Sequence, residues 1–186
     1  MDDHSLVKSV LNGNTQAFSF LIKKYEKLVF HMIKKLMNDE LIIEELAQDV
    51  FMKVYEKLPS FRFESKLSTW IGTIAYRHTI NHMRKNNKIV FNQIEENMEE
   101  NYFKDEQNPE KLFQSKDVSK FVQAHIDKLP PHYRNVLYLY HIEEMSYPEI
   151  VEVTELPEGT VKNYLFRARK LLKEELSKFM LKEELL

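Results

Sequence analysis

Lys162, Asn163, Phe166, Arg167, Arg169 and Lys170 point to the outer side of one helical projection, while Val161, Leu165, Ala168 and Leu172 share its inner side. An apolar stripe at this spacing anchors a helix in a core. The side left outside then presents cationic and amide donors together, the groups that reach phosphate oxygens and base edges in a DNA groove. The whole stretch from Met145 to Leu172 reads as a short helix, a tight turn and this second helix. Helix, turn and half-basic helix in that order are the parts of a helix-turn-helix.

Two further clusters could meet a partner. Phe61-Arg62-Phe63-Glu64-Ser65-Lys66 is a short stretch of mixed aromatic and polar residues, followed by a pattern that carries Arg77, Asn81, Arg84 and Lys85 with no acid between Trp70 and Lys88. The bland alternative is that Phe61, Leu67 and Trp70 are core, and for Leu67 and Trp70 it is the better reading. Upstream, Glu45, Gln48 and Asp49 form an acidic and amide side next to Phe51, which suits a basic helical partner. Its plain alternative is a solvated face with Phe51 inside.

Helices must position these groups. With 3 glycines and 6 prolines in 186 residues, the composition favours an all-α chain. Helical periodicity runs from about Thr15 to Met37, after a turn at Asn12-Gly13-Asn14. A second pattern, about Glu40 to Leu58, begins after the capping residue Asp39 and stops before Pro59. Ser68 or Thr69 is the expected cap of a third helix that reaches about Asn87. From Asn92 to Ser115 acids crowd a segment with few aliphatics, which reads as a linker poorly able to form a core. Helical spacing returns at about Asp117 to Leu129, breaks at Pro130-Pro131, and resumes from His132 to His141.

Other chemistries find little support. The absence of cysteine excludes disulfides, thiolate zinc sites and a thiol nucleophile, and fits a reducing cytoplasm. His78 and His82 are four apart on one helix, but no Glu lies between them and no third ligand is evident. His125 and Asp127 form only a weak His-x-Asp pair. There is no glycine-rich phosphate loop and no nucleophile elbow. No cofactor and no metal is expected. The N-terminus lacks a signal-peptide pattern and no apolar run approaches membrane-spanning length, so no membrane insertion is expected. The net charge of −2 is unusual for a nucleic-acid binder, but the charge is segregated along the chain.

Three motifs together resemble the bacterial RNA polymerase sigma factors of the sigma-70 family, in particular the short extracytoplasmic-function (ECF) group that keeps only regions 2 and 4. They are Glu44-Glu45-Leu46-Ala47-Gln48-Asp49-Val50-Phe51-Met52-Lys53-Val54-Tyr55; Phe61 through Leu67-Ser68-Thr69-Trp70-Ile71 with Ile74-Ala75 and Arg84-Lys85; and Leu129-Pro130 with Glu158-Gly159-Thr160-Val161-Lys162 and Arg167-Ala168-Arg169. The resemblance covers nearly the whole chain. It implies two helical domains, residues 1–91 and 117–186, joined by an acidic linker at 92–116. It implies that Glu45, Leu46, Gln48, Asp49 and Phe51 dock on the clamp coiled coil of the largest subunit of the polymerase core. Phe61, Arg62, Phe63, Glu64, Ser65 and Lys66, with Arg77, Asn81, Arg84 and Lys85, would open and hold the promoter −10 element, where separated bases offer π faces and free edges. Thr160, Lys162, Asn163, Phe166, Arg167, Arg169 and Lys170 would meet the −35 element, with Arg169 and Lys170 on phosphate. Promoter DNA and core polymerase are the implied partners, and an anti-sigma factor is a further candidate. The implied function is promoter selection in transcription initiation, with no covalent chemistry, in the cytoplasm.

The chain departs from the family pattern in the helix-turn-helix turn, where Glu155 stands in place of the usual Gly. A left-handed non-glycine residue costs roughly 1–2 kcal/mol, so the turn is expected to shift by one residue. Arg77 and Asn81 stand where Asn and Asp are frequent, which makes the −10 face more basic. The rival reading is a stand-alone helix-turn-helix regulator. It has no need of the two N-terminal motifs.

Overall fold

A computed structural model describes residues 2–85 and 118–183. The described residues form α-helices: α1 (Asp3–Leu11), α2 (Thr15–Leu36), α3 (Glu40–Lys57), α4 (Leu67–Lys85), α5 (Val118–Lys128), α6 (Pro131–His141), α7 (Tyr147–Thr154) and α8 (Glu158–Glu183). A single 3₁₀ turn, Leu58–Ser60, carries the chain around Pro59 after α3. The expected acidic linker, 92–116, lies outside the described residues.

Local sequence sets most of the boundaries. Asn14 caps α2 through the Ala17 amide, and Asp39 caps α3 by accepting from Leu41 and Ile42. Each side chain satisfies an amide that the helix cannot. Pro131 opens α6, where its missing N–H is no loss. α7 begins with a capping box: Ser146 accepts from the Glu149 amide, and the Glu149 carboxylate returns to the Ser146 N–H at 2.8 Å.

Two expectations need correction. The third helix starts at Leu67, one to two residues before the proposed caps, and Thr69 is buried inside its first turn rather than capping it. The apolar positions Leu67 and Ile71 must both face the bundle, which draws the helix start forward. α1 was not anticipated. Asp2 caps it by accepting from the Ser5 amide, and Leu6, Val7 and Val10 insert into the core.

Helices α2, α3 and α4 pack together with α1 to build the N-terminal bundle around Leu21, Met32, Ile33, Leu46, Val50 and Ile71. Burying each such side chain contributes about 1.5–3 kcal/mol. α6 and α8 form the framework of the C-terminal part, with α5 and α7 against α8. The two parts are in contact. α4 packs on α7 and α2 on α6. His31 on α2 bonds to the Tyr138 hydroxyl at 2.9 Å, and Lys35 bridges to Asp127 at 3.0 Å.

Candidate nucleic-acid interface

Helix α8 buries Val161, Leu165 and Ala168, and Leu172 is half-buried, as its apolar stripe requires. Tyr164 is also buried, against the rings of Tyr133 and His132, so the inner face is broader than the aliphatic spacing indicates. Lys162, Asn163, Phe166, Arg169 and Lys170 are exposed, and Arg167 and Thr160 are half-buried. Phe166 leaves 66% of its surface in water, beside the cationic and amide groups of the same face. Arg167 Nε donates to Asn163 Oδ1 at 3.1 Å, one turn back. The pair holds a guanidinium and a carboxamide side by side, the two groups best shaped for guanine and adenine edges. Arg169 sits over Tyr140 and bonds to His141 at 3.2 Å. That tether draws it away from the Asn163–Arg167 pair.

The turn before α8 did not shift. Glu155 itself takes the left-handed conformation, φ 59° and ψ 15°, and its amide closes α7 on the Val151 carbonyl. The expected one-residue displacement is therefore wrong. Val153 and Thr154 must stay buried on one side and Val161 on the other, and a slip would expose them. Tertiary packing outweighs a local strain of roughly 1–2 kcal/mol.

In the second cluster, Arg62, Phe63, Glu64 and Lys66 are exposed and Ser65 is half-buried, in an irregular segment between the 3₁₀ turn and α4. Phe63 has φ 59° and its ring lies 4.6 Å from those of both Phe61 and His4. Phe61 is buried against Trp70, so it supports the loop from below and offers no free face. Along α4, Arg77, Asn81, Arg84 and Lys85 are exposed on one side. Arg77 pairs with Glu155 at 2.7 Å, and Lys66 with Glu149 at 2.9 Å. Burial raises the Glu149 carboxyl, but the Ser146 amide and the Lys66 ammonium outweigh it and hold the group down at about 2.

On α3, Glu45, Gln48 and Asp49 are exposed, whereas Leu46 and Phe51 are buried in the bundle. The two apolar residues cannot touch a partner without unpacking the fold. Met52 and Tyr55, which the candidate dock on α3 did not include, are both markedly exposed. Glu45, Gln48, Met52 and Tyr55 follow steps of three and four, so a helical projection carried two turns further finds them. His78, half-buried on α4, lies with Nε2 3.2 Å from Asp49 Oδ2 on α3.

The comparisons with known proteins follow this layout. Residues 21–89 match the family description Sigma-70 region 2, and residues 122–172 match Sigma-70, region 4. The RNA polymerase sigma-H factor of Pseudomonas aeruginosa is 31% identical over 94% of this chain and 93% of that protein. The ECF RNA polymerase sigma factor SigW of Bacillus subtilis is 31% identical over 91% of this chain and 94% of its own. Among solved structures, CnrH in complex with the cytosolic domain of CnrY has the same fold, with a TM-score of 0.63 and 21% identity over 95% of this chain and 97% of that one. The sigma factor RpoE of Bartonella quintana, solved with the anti-sigma factor NepR, also gives a TM-score of 0.63, at 20% identity over 86% of this chain and 96% of that one. The chain belongs to the sigma-70 family, within its extracytoplasmic-function group of RNA polymerase sigma factors, and its function is to direct transcription initiation at specific promoters.

Proposed function

We propose that residues 1–91 dock on core polymerase and open the −10 element, and that residues 117–186 read the −35 element, with 92–116 as the connection. The single observation that carries this is the pairing, on one chain, of an exposed acid-and-amide face on α3 with two basic faces on α4 and α8. Glu45, Gln48 and Asp49, extended by Met52 and Tyr55, offer charge and apolar area to a basic helical clamp. Arg62, Phe63, Glu64 and Ser65, next to Arg77, Asn81, Arg84 and Lys85, suit a separated strand. Lys162, Asn163, Phe166 and Arg167 suit base edges in a major groove, and Arg169 and Lys170 suit phosphates. The chain performs no covalent chemistry and acts in the cytoplasm. An anti-sigma factor is a further partner, a reading supported by the complex in which the Bartonella protein was solved.

The test is run-off transcription with core polymerase on genomic fragments. Discrete promoter-dependent transcripts are expected only when the chain is added. A stand-alone regulator would bind fragments and leave core polymerase unprogrammed.

A further inference from the structure

We propose that α1 belongs to the −10 machinery, and that His4 is a positioning residue that braces Phe63 and so presets the loop that meets the separated strand. The proposal rests on the reading of residues 61–66 as the −10 loop and adds what holds that loop in shape before DNA arrives.

Phe63 needs a brace. It sits at φ 59° and leaves 43% of its surface exposed. A bulky residue in the left-handed region is strained, and such a conformation persists only where the surroundings impose it. The segment belongs to no helix, so side chains must impose it. Two rings do. The His4 imidazole lies 4.6 Å from the Phe63 ring at an interplanar angle of 32°, and the Phe61 ring lies 4.6 Å away at 52°. Phe61 in turn lies 5.1 Å from Trp70 on α4. The four rings form a run with one end on α4 and the other on α1. Phe61 and Trp70 come from the loop and the helix that follows it, whereas His4 is brought from another element.

α1 is fixed so as to keep that ring in place. Asp2 caps it by accepting from the Ser5 amide at 2.8 Å. Asp3 Oδ1 accepts from Lys24 Nζ at 2.6 Å and from the Tyr25 hydroxyl at 2.7 Å, both on α2. The residue before His4 is thus anchored twice by side chains. Leu6, Val7 and Val10 bury the next turns, and α1 touches the 3₁₀ turn that leads into the loop. His4 itself is exposed and fills no space in the core. Its stack on an exposed ring adds little to the stability of the bundle and much to the placement of Phe63.

A loop that must order itself on meeting an unpaired base loses affinity to that ordering. The brace completes the ordering when the chain folds, so that Glu64 and Ser65, which follow Phe63, are presented in one arrangement.

His4→Ala removes the ring and leaves α1 able to form, since alanine is the best helix former. His4→Phe keeps a ring. The full chain carrying each change is assayed with core polymerase on a promoter selected with the unaltered chain. His4→Ala should reduce permanganate-detected opening at the −10 element by roughly fivefold, the scale of one ring pair, and weaken base preference at one −10 position. Core association and closed-complex binding should match the parent, and His4→Phe should restore opening and preference together. Trp70 is the single tryptophan and reports the same stack in the free chain. Acrylamide should quench it more readily in His4→Ala than in the parent or in His4→Phe. Four results overturn the proposal: His4→Ala opens the promoter as well as the parent, His4→Phe is as deficient as His4→Ala, Trp70 quenching is indifferent to His4→Ala, or closed-complex binding falls as far as opening does. Phe63→Gly judges the loop itself and should lose opening. Normal opening by that variant would sink the −10 reading of the loop, while Trp70 quenching would still judge the brace.

Discussion

His78 Nε2 on α4 lies 3.2 Å from Asp49 Oδ2 on α3, so a polar contact ties the basic helix to the acidic face of its neighbour. Burial lowers the His78 pKa and the Asp49 bond opposes this, with a net downward shift. At neutral pH the imidazole is thus largely uncharged, and its Nε2–H donates to the Asp49 carboxylate.

Gln48→Ala combined with Asp49→Lys should weaken association with core polymerase by about tenfold, about 1.4 kcal/mol, and leave helical content unchanged. Both side chains are exposed, so the fold has little to lose. A pull-down that recovers the variant as well as the parent would remove α3 as the dock.

Replacing Glu64 and Ser65 by Ala should reduce strand opening at the −10 element more than closed-complex binding. Groups that read an unpaired base act only once strands separate. Lys66 is left in place because its pairing with Glu149 would mix a change in the contact between α4 and α7 into the result. Permanganate footprinting alongside filter binding compares the two steps, and an equal loss in both would point instead to a phosphate contact or misfolding.

Arg167→Ala should relax base preference at one −35 position, since a bidentate Arg–base contact is worth about 1–3 kcal/mol of discrimination. Lys170→Ala should weaken all sequences about equally and reduce the salt slope. Both changes remove one positive charge from the same helix, so the contrast isolates readout from attraction. If Arg167→Ala lowers affinity uniformly in the holoenzyme, Arg167 is not a reader.

His31 links pH to the contact between α2 and α6. Burial lowers its pKa, and Lys35, Lys34 and Lys27 add to this against the opposing Glu143. With the folded value below the ordinary 6.5, the unfolded chain binds the proton more readily. The contribution is complete above about pH 6.5 and declines as pH falls toward the lowered folded value. His31→Gln should flatten the pH dependence of urea stability below about pH 6.5. A slope identical to that of the parent would exclude His31 as its source.

The helices that carry the proposed surfaces were legible because their periodicity and caps agree: Asp39 before α3, the proline at the start of α6, and the inner stripe of α8. Less legible were features decided by contacts distant in sequence. α1 is short, and its cap Asp2 sits at the chain start. Phe51 and Leu46 share a motif with exposed residues, and only the bundle decides which of them face inward. Glu155 follows the same rule, since composition argued for a shifted turn and the burial of Val153 and Val161 prevented it. The seam between α4 and α7 has no linear signature, because Gly72 and Val153 lie in separate parts of the chain.

The left-handed glutamate sets the strain of one turn against the contact between the two helical units. Glu155→Gly would relieve the strained backbone, and the helix-turn-helix should tolerate heat better. The same change removes the carboxylate from Arg77, so α4 and the turn before α8 should hold each other less firmly. A search for hardier variants would thus gather forms whose two helical units are joined more loosely, and a melting curve alone would score them as improvements.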